Sequence, residues 1–216
     1  MVKLGTVVLC GLFCLQQGYG LHPIATLTDY RQSVSLDSNQ ALVPINHILL
    51  DIRYATSQNI MHRPVYSQAR AFLRLPAARA LEAVEEELKP LGYGLKVYDG
   101  YRPYRVTVAF WERYHDSTFV ASPYTGSRHN RGCAVDLTLV DLRTGKELPM
   151  PTPFDSFDKQ AAAAYPDLPE NVLKNRALLQ DVMRKHGFQT LPSEWWHFDF
   201  ADWKQYPVTD IPFEQL

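Results

Sequence analysis

The chain has 216 residues, with 22 lysines and arginines against 23 aspartates and glutamates, and a formal net charge of -1. That length is typical of one domain with its own hydrophobic core. A charge this close to zero gives no electrostatic case for binding to nucleic acids or anionic membranes. We therefore expect no nucleic-acid partner, and the sequence leaves the oligomeric state open.

The first twenty residues have the layout of a secretory signal peptide. A lysine at position 3 precedes an apolar run at residues 4–15, and the small residues Gly18 and Gly20 follow. This pattern predicts cleavage after Gly20. The apolar run is shorter than the ~20 residues of a membrane-spanning helix. We expect residues 1–20 to be removed and residues 21–216 to form an exported domain, periplasmic or otherwise outside the cytoplasm, without a membrane anchor.

The hydrophobic periodicity of the remaining chain predicts three helices and three strands. The helices are predicted at residues 77–88, from Pro103 onwards, and at residues 170–186, before Gly187. The strands are predicted at residues 94–98, 137–140 and 195–200. Helices and strands do not alternate regularly, which favours an α+β fold. We expect a single compact domain with a central antiparallel or mixed sheet and helices packed on one side.

The stretch Ser127–Leu139, SRHNRGCAVDLTL, combines a histidine and an aspartate with the start of an apolar strand. An acidic side chain in a buried strand needs an ion-pair partner or a metal. Asp136 is therefore either a salt-bridged structural carboxylate or a metal ligand together with His129. Cys133 is the only cysteine after Gly20, so no internal disulfide is expected. Strand alternation places it opposite to Asp136, which predicts a buried apolar cysteine.

Two further segments carry residues suited to hydrolysis. A catalytic zinc takes three protein ligands and keeps a fourth position open. Glu194-Trp-Trp-His197 offers a histidine ligand with a carboxylate three residues before it, and water activation needs such a carboxylate. Alone, this segment is more often the end of a packed aromatic strand. Arg102, just before the helix at Pro103, could stabilise an oxyanion or simply pair with Asp99.

Together, DGYRP at 99–103, the stretch Ser127–Leu139 and EWWHF at 194–198 resemble the zinc D-alanyl-D-alanine dipeptidases of the VanX type. These belong to the wider group of zinc DD-peptidases, which share the pattern Ser-x-His-x6-Asp followed by Glu-x-x-His. The resemblance extends from DIRYAT at 51–56 to EWWHF and so covers most of the chain after residue 20. It implies a compact α+β domain in which an antiparallel sheet carries one zinc ion per chain.

The resemblance also implies a role for eight residues. They are the zinc ligands His129, Asp136 and His197, the general base Glu194, the intermediate-stabilising Arg102, and the substrate-binding Asp155, Tyr54 and Ser127. Asp155 is expected to hold the free amino group of the substrate, with help from Tyr54. The implied partner is a small-molecule dipeptide.

The implied reaction is the zinc-dependent hydrolysis of D-Ala-D-Ala to two D-alanines. With an export signal, this reaction would serve peptidoglycan turnover or nutrient recycling. One alternative is a zinc D,D-carboxypeptidase that trims peptidoglycan stem peptides, against which Asp155 and Tyr54 argue. Another is a zinc-bearing binding module without activity, which would need neither Glu194 nor Arg102.

Overall fold

The structure is a computed structural model that describes residues 19–117 and 120–216. Residues 1–18 of the predicted signal peptide lie outside the described residues. The described α-helices are α1 (Leu27–Leu36), α2 (Leu75–Leu88), α3 (Tyr104–Tyr114) and α4 (Glu170–Lys185). The described strands are β1 (Leu42–Pro44), β2 (Leu49–Leu50), β3 (Phe72–Arg74), β4 (Tyr93–Asp99), β5 (Ala134–Asp141), β6 (Phe188–Leu191) and β7 (Glu194–Phe200). Within these ranges, no helix has the length and hydropathy needed to cross a bilayer.

The strands form a five-stranded sheet in the order β2-β4-β5-β7-β6 and a separate two-stranded sheet of β1 and β3. In the larger sheet β2 runs parallel to β4, and all other neighbours are antiparallel. Helices α2 and α4 contact each other; α2 also packs on β4, and α4 on β5 and β6. The predicted α+β domain with a mixed sheet is confirmed.

The two packing helices are amphipathic, as their sequence spacing predicts. In α2, Pro76 occupies the first turn, and Leu81, Val84 and Leu88 are fully buried at helical spacing. Each such side chain contributes about 1.5–3 kcal/mol through its removal from water. Helix α4 ends before Gly187, whose φ of +86° is a conformation that glycine adopts without strain. The helices therefore stabilise the sheet from which the site is built.

The register of the sheet brings Asp136 and His197 together. Strand β5 is buried along its whole length except at Asp141. Asp136 lies directly opposite His197 of β7 on one side and Asp99 of β4 on the other. Residues opposite each other in antiparallel strands project from the same face, with Cβ atoms about 4.5–5.5 Å apart. Strands β5 and β7, which are far apart in sequence, thus place the side chains of Asp136 and His197 next to each other.

Strand β7 is irregular where it carries Glu194. Leu191 of β6 pairs with Glu194, yet the preceding Thr190 pairs with Phe198, so the register shifts between them. Regular alternation would place Glu194 and His197 on opposite faces of the sheet. With the shift, a carboxylate oxygen of Glu194 lies 3.8 Å from Nδ1 of His197.

Candidate active site

Three buried side chains form a triangle of potential metal ligands: His129, Asp136 and His197. Nε2 of His129 lies 3.1 Å from Nδ1 of His197 and 3.4 Å from Oδ1 of Asp136, and the remaining edge is 3.0 Å. Tetrahedral zinc ligands at their usual bond lengths lie about 3.3–3.5 Å apart. The two nitrogens and one carboxylate oxygen therefore fit zinc with movements of a few tenths of an ångström.

The outer nitrogen of each histidine is hydrogen-bonded away from the triangle. Nδ1 of His129 lies 2.7 Å from the carbonyl oxygen of Gly100, and Nε2 of His197 lies 2.9 Å from Oδ1 of Asp199. A proton on each outer nitrogen leaves the inner nitrogen with a lone pair for a metal. Gly100 is required for this arrangement, because a Cβ there would lie 2.8 Å from the carbonyl oxygen of Phe72.

The electrostatics of the triangle favour a positive charge at its centre. Burial alone would raise the pKa of Asp136, but His129 and His197 hold that pKa well below its usual range. Burial alone would lower the pKa of His197, but its hydrogen bonds to Asp136 and Asp199 raise it to about 10. Two carboxylates around two imidazoles thus provide the charge balance that a bound cation needs.

Glu194 lies beside the triangle without being part of it. Burial raises the pKa of Glu194, His197 opposes the shift, and the Asp136 carboxylate adds to it. A carboxylate with a raised pKa is a better proton acceptor near neutral pH than an exposed one. A carboxylate oxygen of Glu194 lies 3.8 Å from Nδ1 of His197, next to the position that a metal would take.

Arg102 is fixed by a buried ion pair and by aromatic rings. Its Nε and Nη2 donate hydrogen bonds to Oδ2 of Asp99 at 3.1 and 2.8 Å. Its guanidinium carbon lies 5.2 Å from the ring centre of Tyr54 and 4.8 Å from that of Phe110. Burial alone would lower the pKa of Arg102, but the Asp99 carboxylate raises that pKa well above its ordinary value. Arg102 therefore both pairs with Asp99 and lines the cavity described below.

Asp155 and Tyr54 meet on the wall of the same cavity. The Tyr54 hydroxyl donates to the Asp155 carboxylate, with oxygen distances of 3.0 and 3.1 Å. Asp155 has a φ of +61°, in the left-handed region that aspartate and asparagine tolerate best among non-glycine residues. Desolvation, with a contribution from Asp136, raises the pKa of Asp155 to about 8, although the Tyr54 hydrogen bond opposes this.

All eight predicted site residues line one cavity of about 240 Å³. This volume is below the range of about 300–1,000 Å³ typical of ligand pockets, so the cavity suits a small substrate. Ser127 is part of the lining, and its Oγ accepts a hydrogen bond from the backbone N–H of His129 at 3.2 Å. Apolar residues complete the walls: Ile60, Phe110, Val120, Ala121, Ala161, Leu191 and Trp196.

Three residues near the site were not predicted as functional: Asp99, Asp199 and Arg128. Asp199 follows His197 by two positions on a strand, a spacing that places both side chains on one face. This spacing in the sequence could have identified Asp199 as a partner of His197. Cys133 is fully buried, as predicted, and burial raises the pKa of its thiol to about 12.

Residues 38–214 match the family model of the M15 peptidases described as D-ala-D-ala dipeptidase. The chain belongs to the D-ala-D-ala dipeptidase family. Peptidases of this family are zinc-dependent, and this member is a zinc metallopeptidase. The family assignment agrees with the two nitrogens and one carboxylate oxygen of the triangle.

Curated relatives of this dipeptidase family member cover most of its length. The D-alanyl-D-alanine dipeptidase of Escherichia coli K12 is 35% identical over 159 residues, which is 74% of this chain and 82% of that protein. The D-alanyl-D-alanine dipeptidase of Enterococcus faecium is 33% identical over 189 residues, covering 78% and 93%. Among solved structures, the LD-carboxypeptidase LdcB has a TM-score of 0.45 and 21% identity, covering 76% of this chain and 69% of that one.

Proposed function

We propose that this member of the family hydrolyses D-Ala-D-Ala to two D-alanines at one zinc ion held by His129, Asp136 and His197. The observation that carries the proposal is one small cavity that combines the metal-ligand triangle with a buried carboxylate for an ammonium group. The substrate is taken from the two relatives, both of which are D-alanyl-D-alanine dipeptidases.

Each catalytic role follows from the chemistry of a residue beside the triangle. When bound, zinc would supply a Lewis acid and lower the pKa of a water ligand. Glu194 takes the proton of the attacking water and delivers it to the leaving amine. The guanidinium of Arg102 donates to the oxygen that becomes negative during attack, and Asp99 holds the guanidinium in place. Loss of one such donor typically lowers kcat by about 10²–10³-fold.

Asp155 and Tyr54 are proposed to bind the free ammonium group of the substrate. In a longer peptide an amide replaces that ammonium, which leaves the Asp155 carboxylate without a cationic partner. An unpaired buried charge costs about 2–5 kcal/mol, enough to favour dipeptides over stem peptides. The carboxypeptidase alternative is therefore disfavoured. Ser127 is proposed to contact the substrate beside the metal while its Oγ accepts the N–H of His129.

The physiological role that we propose is peptidoglycan turnover or nutrient recycling outside the cytoplasm. It is supported by the sequence pattern of residues 1–20, which predicts a signal peptide ending at Gly20. Cell fractionation followed by mass spectrometry tests it. We expect the activity in the exported fraction, with Leu21 as the first residue. Activity in the cytosol with residues 1–20 still attached would refute the role.

A substrate panel tests the reaction itself. Purified protein is incubated with D-Ala-D-Ala, L-Ala-L-Ala, N-acetyl-D-Ala-D-Ala and a tripeptide ending in D-Ala-D-Ala, with and without a chelator. We expect fast hydrolysis of D-Ala-D-Ala, abolished by the chelator and restored by zinc. Comparable rates on the acetylated dipeptide or the tripeptide would favour the carboxypeptidase alternative instead.

A further inference from the structure

A row of polar contacts leads from the metal-ligand triangle to the protein surface. Nε2 of His197 lies 2.9 Å from Oδ1 of Asp199, whose side chain is almost completely buried. The second oxygen of Asp199 faces Arg128, whose Nε lies 3.5 Å away. The guanidinium carbon of Arg128 lies 4.8 Å from the ring centre of Trp203. Neither Asp199 nor Trp203 lines the cavity, so neither is placed to touch a substrate.

The contact between His197 and Asp199 favours a proton on Nε2 of His197, the nitrogen that faces away from the triangle. Nδ1 points into the triangle, and it can donate its lone pair only when the ring proton is on Nε2. A carboxylate opposite Nε2 favours that tautomer and fixes the ring plane. Asp199 is well suited to this task because its backbone is paired on both sides, with Ala134 of β5 and Gln189 of β6.

The second contact concerns the orientation of Asp199. An exposed ion pair alone contributes little, and the Arg128 side chain is 42% exposed. Stacking on an aromatic ring, however, restricts the planar guanidinium and holds it beside the carboxylate. Of the three cations near the Trp203 ring, Arg128 lies nearest to the ring centre at 4.8 Å, and Arg131 and Lys204 follow at 5.4 and 5.6 Å.

We propose that Asp199 is a positioning residue that holds His197 in the tautomer and orientation that bind zinc, and that Arg128, stacked on Trp203, orients Asp199. The inference rests on the proposed ligand set, and its measured quantity is zinc affinity rather than turnover. It follows that a substitution at the half-buried Trp203 lowers the affinity for zinc, although no described contact joins Trp203 to a zinc ligand.

The test is a competition between a chelator and purified full-length protein for zinc. We expect Asp199→Ala to weaken zinc binding by about 10–100-fold, the range seen when outer hydrogen-bond partners of metal ligands are removed. Asp199→Asn keeps an oxygen that accepts from Nε2, and we expect it to recover most of that loss. Recovery by the amide would show that the acceptor for Nε2, rather than the negative charge, supports zinc binding.

Asp210 provides a matched control. Asp199 and Asp210 are both 7% exposed, and each faces an arginine, which for Asp210 is Arg105 at 3.0 Å. The described hydrogen bonds and ion pairs of Asp210 include none with the three zinc ligands. Asp210→Ala should leave zinc affinity unchanged. Thermal unfolding of the metal-free proteins shows whether each variant folds. If Asp199→Ala does not fold, Asp199→Asn, Arg128→Gln and Trp203→Leu decide.

For Arg128→Gln and Trp203→Leu we expect a smaller loss of zinc affinity, up to about fivefold. Wild-type zinc affinity in folded Asp199→Ala, or an equal loss in Asp210→Ala, would overturn the proposal for Asp199. Wild-type zinc affinity in both Arg128→Gln and Trp203→Leu would overturn the proposal that Arg128 and Trp203 orient Asp199. A wild-type protein that binds zinc but does not cleave D-Ala-D-Ala would refute the proposed function, and the comparison of affinities would still stand.

Discussion

Substituting Asp155 by asparagine removes the carboxylate that is proposed to pair with the substrate ammonium and changes little else. The φ of +61° at this position suits asparagine about as well as aspartate. The amide oxygen can still accept the hydrogen bond from Tyr54, whose hydroxyl lies 3.0 Å from the nearer carboxylate oxygen. A loss of dipeptide hydrolysis would therefore report the missing charge rather than a rearranged loop.

The size of the effect follows from leaving the substrate ammonium without a charged partner. Removing one member of a buried charge pair costs about 2–5 kcal/mol. At about 1.4 kcal/mol for each tenfold change, kcat/KM for D-Ala-D-Ala should fall about 30- to 4,000-fold. The loss should appear mainly in KM, because the ammonium is bound in both the ground state and the transition state. The ratio of kcat/KM for D-Ala-D-Ala to that for N-acetyl-D-Ala-D-Ala should fall by the same factor.

The same substitution should change how the stability of the metal-free protein depends on pH. Desolvation in the cavity raises the pKa of Asp155 from 3.8 to about 8. Between these values the folded protein holds a proton that the unfolded chain does not, so wild-type stability falls as the pH rises through this window. Asparagine does not titrate. Asp155→Asn should therefore gain thermal stability relative to wild type between pH 4 and pH 8.

Steady-state kinetics on both substrates and thermal unfolding at pH 5 and pH 8 measure these effects. Asp158→Asn is the matched control, since Asp158 lines the same cavity but accepts its hydrogen bond from Ser156. We expect this control to retain nearly wild-type kinetics. A kcat/KM of Asp155→Asn within about threefold of wild type would refute the assignment of Asp155 to the ammonium group.

Three further predictions concern the metal, the base and the cysteine. Alanine at His129, Asp136 or His197 should remove bound zinc and activity together, because a three-ligand site has no spare ligand; stoichiometric zinc in His197→Ala would contradict the ligand set. Glu194→Gln should keep zinc but lose at least about 10²-fold in kcat, and a near-normal rate would exclude Glu194 as the base. Because burial raises the pKa of Cys133 to about 12, the folded protein should not react with thiol reagents at pH 8, and rapid labelling would contradict its burial.

Most of the long elements of the fold were predicted from the sequence, whereas helix α1 and the short strands were not. Helices α2 and α4 show clear periodicity and strand β7 is rich in aromatic residues, and the structure places all three within two residues of the predicted bounds. Strands β1, β2 and β3 have only two or three residues each, too few to show a period. Their strand geometry depends on pairing with partners, such as β4 for β2, that are distant in sequence.

The individual site residues could be predicted, but the contacts that orient them could not. Spacing and resemblance identified the Glu-x-x-His segment, whereas the register shift that turns Glu194 toward His197 depends on how β6 pairs with β7. Similarly, Asp99 was considered only as an alternative partner of Arg102. In the structure it also accepts a hydrogen bond from Tyr66 at 2.7 Å, a residue 33 positions away. Long-range contacts of this kind leave no local pattern in the sequence.

The most direct test of the account is a zinc titration of the metal-free protein with D-alanine release from D-Ala-D-Ala as the signal. Chelator-treated protein receives zinc in steps from zero to three equivalents, and D-alanine is measured at each step. We expect no release of D-alanine without zinc, a linear rise as zinc is added, a plateau at one zinc per chain, and two D-alanines for each dipeptide consumed. Full activity in the metal-free protein, or no release at one equivalent of bound zinc, would contradict it.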